Sequence, residues 1–206
     1  VRYVDAYHHT ARWHSVGVKD GKLMPSDLTG SKAFYGTPLQ DDDYGIVRLE
    51  QIMEQMKGYR NLSDSTVAVN LKCMIHLVGD MHCPAHVRFT DFENQGKFPI
   101  KFFGKKTTLH KVWDTSVLTR DHKGWSYKEY AAKLDKLSKG KVKRVTNGWV
   151  EDWLEESGRL VRPIIYEVKE GSELDEEFMT WAYPMAESQA RKAGYRLAKY
   201  LNTLFK

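Results

Sequence analysis

Apolar and polar positions recur with helical period over most of the chain. The clearest case is the run from Leu71 to Val87, LKCMIHLVGDMHCPAHV. Val67, Leu71, Met74, Ile75 and Val78 fall on one stripe of a 3.6-residue repeat, which predicts a buried amphipathic helix. Ser63 or Asp64 can cap its start, and Pro84 ends it and turns the chain. Upstream, Ile46, Leu49, Met53 and Met56 predict another amphipathic helix, preceded by Asp41, Asp42 and Asp43. Carboxylates are favoured at a helix N-terminus, which accounts for that acidic triplet better than a metal site does. Residues 1–39 show little periodicity and several turn signals.

Downstream of the central run, Phe98 to Phe103 predicts one strand of a short hairpin with Gly104 at the turn. A helix then begins near Thr107 or Thr108. The stretch SYKEYAAKLDKLSKGKVKR is periodic and basic, and predicts a solvent-facing helix with a loop around Gly140. TNGWVEDWLEESGRLVRPIIYEV predicts a helix to about Leu160, which Pro163 kinks or ends. In the last segment, Ala186, Ala190, Ala193, Leu197 and Leu201 lie on one stripe, with Pro184 suited to the first turn. There is no internal repeat, low-complexity linker or second-domain boundary. The expected fold is mostly α, a single helical domain over 1–206 with at most one short β-hairpin.

Composition narrows this only a little. With 206 residues and 41% apolar content, the chain is long enough for one domain with a substantial core. No run approaches the roughly 20 apolar residues that span a bilayer. A net charge of +5 leans mildly toward anionic partners such as nucleic acid. Cys73 and Cys83, on or just beyond one helix, would be roughly 15 Å apart, too far for a disulfide.

The chemistry sits in the same central run. His76 and Asp80 are four apart and stack on one helix face, and the turn at Pro84 can return His86 toward them. A second His-x-x-x-Asp pair, His110 and Asp114, follows in LHKVWD. Imidazoles and carboxylates at helical spacing on two helices are what a catalytic zinc site needs. A lone histidine is more often a satisfied core residue, but two such pairs plus His86 favour a metal. No CxxC or HExxH is present.

HLVGDMHCPAH together with LHKVWD resembles the signature of the zinc-dependent, single-strand-specific S-one/P-one nucleases, whose fold is related to zinc phospholipase C. WLEES and SQARKAGYRLAKYLN resemble two further stretches of that family, and WHS at Trp13 to Ser15 stands where the family has a Trp-His-aromatic triplet. The resemblance implies a mostly helical, exported enzyme that binds up to three zinc ions. It implies that His86, His110 and Asp114 hold one zinc. His14, His76 and Asp80 match three of the four residues that hold another, and Asp80 also matches the bridge to a third. Arg2 matches an arginine that contacts substrate phosphate, so Asp80 and Arg2 are the expected catalytic residues.

The implied activity is endonucleolytic hydrolysis of single-stranded DNA or RNA to 5′-phosphorylated products, with 3′-nucleotidase activity beside it. Departures accompany the match. The family's remaining ligands, an aspartate, the N-terminal tryptophan and a histidine, would precede Val1, so one site is complete and another partial. Ser15 replaces an aromatic that stacks on a base, a contact worth roughly 1–3 kcal/mol. Cys83 stands where glutamine is usual and Thr108 where asparagine is usual. His82 and His122 match no ligand and are expected at the surface or behind the ligands, while His8, His9 or Asp5 are candidates to replace a missing one. Two other readings compete: a phospholipase C-like lipid phosphodiesterase, and a helical metal-binding protein without activity.

Overall fold

The computed structural model of the protein describes residues 16–19, 22–23, 45–89 and 98–206. The fold is mostly α. Helix α1 (Gly45–Met56) buries Leu49, Ile52, Met53 and Met56. It packs on α2 (Asp64–Met81), the helix predicted from the central run. Ser63 caps α2 by accepting from the Thr66 N–H at 3.2 Å. The buried face of α2 is Cys73, Met74, Leu77, Val78 and Met81. Ile75, expected on that stripe, is instead 54% exposed. One turn of 3.6 residues separates 74 from 77 and 78, so burying those three rotates 75 to the outer face.

Beyond α2 the chain makes a 3-10 turn, Pro84–His86, and enters β3 (Val87–Phe89). β3 runs parallel to β1 (Val16–Lys19), which pairs antiparallel with β2 (Lys22–Leu23). The expected hairpin is β4 (Pro99–Phe102) and β5 (Lys105–Thr108). Its two turn residues, Phe103 and Gly104, have φ of 49° and 73°. Positive φ at both central positions matches the right-handed twist of the flanking strands, and glycine adopts it without a Cβ penalty. β6 (Glu173–Leu174) adds to β4 in parallel. Among the described residues there are thus two small three-stranded sheets where the sequence suggested one hairpin. Strands of two or three residues carry too few alternating positions to be read in advance.

Thr108 caps the next helical segment by accepting from the Lys111 N–H at 3.2 Å. It opens as α3 (Leu109–Lys111), widens into a π turn (Val112–Ser116) and closes as α4 (Val117–Thr119). The basic segment forms α5 (Tyr127–Leu134) and α6 (Lys139–Val145). The break falls at 135–138 and not at Gly140, which lies in the first turn of α6. Asp135 accepts from the Tyr195 hydroxyl and the Leu137 N–H donates to that same hydroxyl, so the last helix holds this break open.

Helix α7 (Val150–Glu167) continues past Pro163, and α8 (Glu176–Leu204) begins well before Pro184. Pro184 is expected in a first turn and Pro163 is expected to kink or end its helix; both lie inside, and neither marks an end. Each is exposed, and the carbonyl each leaves unbonded belongs to an exposed residue, Arg159 or Thr180, within reach of water. Burial on the opposite face holds both helices together: Ile164 and Val168 on α7, Ala182 and Ala186 on α8.

The core has two parts. One gathers Ala85, Ile100, Leu109, Trp113, Val117, Ile164, Leu174, Phe178 and Ala182. The other gathers Leu49, Met53, Met74, Leu77, Met81, Trp153 and Leu154. Helix α7 contributes to both, and so does α8, whose later residues Leu197, Tyr200 and Leu201 pack against the second part. The turn from Met81 to Ala85 passes from one part to the other. Among the described residues, no helix is long and apolar enough to cross a membrane.

Candidate metal centre

The end of α2 is fixed from three sides. The Ser157 hydroxyl of α7 donates to the Met81 carbonyl at 2.6 Å and accepts from the Gln189 side-chain amide at 3.1 Å. His82 Nδ1 donates to the Val78 carbonyl at 2.7 Å, which leaves Nε2 to accept from Arg196 Nη1 at 2.7 Å. Arg196 also donates to the Val145 carbonyl and pairs with Glu156, which pairs in turn with Lys192. WLEES and AGYRLA therefore meet on the residue after Met81. His82 is 2% exposed, so of the two positions expected for it, at the surface or behind the ligands, it does not take the first. Burial lowers its pKa from 6.5 to about 4, and the adjacent Arg196 adds to that effect.

Held this way, α2 presents His76 and Asp80 outward from its last turns, with His76 Nε2 3.3 Å from Asp80 Oδ2. The Cys83 N–H donates to the Asp80 carbonyl at 2.9 Å, and the His86 N–H donates to the Cys83 carbonyl at 3.0 Å. These bonds wind the chain through Pro84 so that His86 faces back toward Asp80, its Nδ1 3.7 Å from Oδ2. On the other ring edge, His86 Nε2 lies 3.0 Å from Asp114 Oδ1. The His110 ring stands beside it, 5.1 Å between centroids. His76, Asp80, His86, His110 and Asp114, from α2, the 3-10 turn and the segment from α3 into its π turn, are thus neighbours in space. Arg2 and His14 lie outside the described residues, as do His8, His9, Asp5, Ser15 and Asp41 to Asp43.

The donor set suits a cation. His86 has a carboxylate at each ring nitrogen, and carboxylates only accept. A neutral imidazole has one N–H, so one of its nitrogens directs a lone pair toward an anionic oxygen. A divalent ion on that side removes the conflict. Two donors about 2.0–2.1 Å from one tetrahedral zinc are about 3.3 Å apart, close to the His76–Asp80 spacing of 3.3 Å and the His86–Asp114 spacing of 3.0 Å. The site is half-sheltered: His86 is 8% and Asp80 16% exposed in side chain, against 48% for Asp114.

Sequence reasoning missed one candidate donor. Among the described residues, Cys83, His86 and Asp114 offer ligand atoms that all lie within 4.8 Å of one another, a set that does not include His110. The signal was legible in the spacing, since Cys83 stands three residues after Asp80 and three before His86. Burial pushes its thiol up to about 12, and the Asp114 and Asp80 carboxylates add to that. A cavity of about 310 Å³ opens beside Asp80, Cys83 and Asp114, walled by Trp113 and by Ala186 and Ala190 of α8.

Comparison with known proteins shows the family of the chain. The chain is similar to Endonuclease 1 of Arabidopsis thaliana, 30% identical over 148 residues, covering 63% of this chain and 47% of that protein. It is similar to Endonuclease 4 of the same plant at 26% identity, covering 74% of this chain and 57% of that protein. It is also similar to Nuclease S1 of Aspergillus oryzae, 25% identical over 228 residues, covering 98% of this chain and 75% of that protein. The chain spans about half the length of the first two of these relatives. The family model described as S1/P1 Nuclease matches residues 1–206, and the chain belongs to that family.

Proposed function

We propose that the protein is a zinc-dependent endonuclease that cleaves phosphodiester bonds of single-stranded DNA or RNA to 5′-phosphorylated products, with 3′-nucleotidase activity beside it. In this reading the protein is exported and residues 1–206 act as one domain, which the sharing of α7 and α8 between both parts of the core supports. The observation that carries it is the convergence of three imidazoles and two carboxylates around His86 in a member of a nuclease family.

His86, His110 and Asp114 would hold one zinc ion, and His76 and Asp80, with His14, would contribute to a second. Bound zinc supplies Lewis acidity toward a phosphoryl oxygen and lowers the pKa of water to about 7. The protein's own groups do the rest. Asp80, at His86 Nδ1, favours the proton on that nitrogen and so directs the Nε2 lone pair toward Asp114. Arg2 is assigned to the phosphate charge that grows during cleavage. A recessed site of this kind reaches a phosphate when the backbone can splay, which favours single strands.

The test is Asp80→Asn in the full-length protein, assayed on single-stranded DNA with added zinc. Hydrolysis should vanish while the far-ultraviolet circular dichroism stays that of the wild type. Retention of more than a few percent of activity would overturn the assignment. Phosphatidylcholine is assayed in parallel: turnover of the lipid without turnover of DNA would make the protein a lipid phosphodiesterase, and turnover of neither a metal-binding protein without this activity.

A further inference from the structure

We propose that Cys83 is itself a metal ligand, so that the ion at His86 and Asp114 sits in a mixed sulfur, nitrogen and oxygen site. This rests on the metal centre proposed above and adds a residue that the imidazole and carboxylate pattern did not include. Three observations carry it. The Cys83 Sγ, a His86 ring nitrogen and an Asp114 carboxylate oxygen are mutually within 4.8 Å, close enough to reach one ion with small side-chain rotations. The cysteine is fixed where it stands, since its N–H and carbonyl are bonded to Asp80 and His86, the residues flanking it in the centre. The turn that carries it is anchored at both ends by Met81, 5% exposed, and Ala85, 2% exposed.

The donor types agree with the ion. Thiolate and imidazole together select zinc over the hard cations that carboxylates alone would take. As the sulfur–metal bond forms, the S–H bond breaks and the proton passes to bulk water, with no change in oxidation state. The sulfur then neutralises part of the ion's charge. The centre becomes softer and binds more tightly than one built from His86, His110 and Asp114 alone, and its Lewis acidity falls. The other cysteine gives an internal control: Cys73 is buried in the second part of the core, with Met74 and Leu77, and neither cysteine is in a disulfide.

Cobalt(II) in place of zinc reads this directly, because only a sulfur ligand gives a near-ultraviolet sulfur-to-cobalt charge-transfer band beside the visible ligand-field bands. The full-length wild-type protein and Cys73→Ser should show both features. Cys83→Ser and Cys83→Ala should keep the ligand-field bands, lose the charge-transfer band, and bind the ion roughly ten- to a hundredfold more weakly, a range that even groups supporting a ligand reach. Zinc-edge X-ray absorption of the wild type should contain a sulfur shell at about 2.3 Å. Ligand-field bands with no charge transfer, or a zinc shell of nitrogen and oxygen alone, would show that the metal centre stands and Cys83 is outside it. Absence of any cobalt bands would overturn the centre and the Cys83 assignment together.

Discussion

His82 shows how a residue that touches no substrate can set the conditions under which the site survives. It is buried and neutral, with one nitrogen donating to Val78 and the other accepting from Arg196. In the unfolded chain its pKa is 6.5 and in the fold about 4, so between those values the unfolded state binds more protons. Stability therefore falls as pH drops from about 6.5 to about 4, by about 3 kcal/mol in all. Urea denaturation in the presence of a chelator should show a loss of about 1 kcal/mol between pH 7 and 5.5, and His82→Gln should flatten that slope. An unchanged slope would count against the burial argument. Glu156 acts in a lower window. Burial pushes its carboxyl up, but hydrogen bonds from Lys192 and Arg196 outweigh this and hold it below the usual carboxylate range. Its contribution is present above the ordinary glutamate pKa and disappears as pH falls through the lowered one.

At the level of elements, the boundary of α8 is open to direct test. Asp175 accepts from the Glu177 N–H at 2.9 Å, and Glu176 and Glu177 follow in the first turn. Asp175→Ala should cost about 1 kcal/mol, the usual worth of a lost N-cap, measured by thermal or chemical denaturation. A helix starting at Pro184 would leave that substitution neutral. The hairpin turn offers a second case: Gly104→Val places a β-branched residue at φ 73°, and should cost at least about 1 kcal/mol. These two elements also show what could be read in advance. The Ser63 cap, the helix from Asp64, the turn at Pro84 and the hairpin at Gly104 each follow from local chemistry, and all were legible in the sequence. Pro163 and Pro184 misled because a local rule for proline was outweighed by burial on the far side of each helix, which no short window contains. The π turn at Val112–Ser116 was also invisible, as no residue pattern marks it. It begins between His110 and Asp114 and includes Asp114, so their separation is not that of a regular α-turn, and π turns recur at functional sites. Cys83 went unread as a donor because the pattern sought was imidazole and carboxylate.

On the scale of the whole molecule, metal binding and folding should be coupled. An ion that binds only the folded chain adds RT ln(1 + [L]/Kd), about 2.7 kcal/mol at a hundredfold excess over Kd. Stripping the protein with EDTA should lower the midpoint of thermal unfolding, and added zinc should restore it; magnesium should not, because it favours oxygen donors. Charge acts at the same scale. The net +5 is carried partly by Lys139, Lys141, Lys143 and Arg144 of α6, each exposed to solvent. Finally, both parts of the core lean on α8. Because the turn with Cys83 and His86 is anchored in one and Met81 in the other, neither half can melt without loosening the donors. Backbone amides along α8 and the last turn of α2 should therefore exchange with deuterium together, at the rate set by global opening. The donor geometry is thus no more durable than the less stable of the two parts between which it is strung.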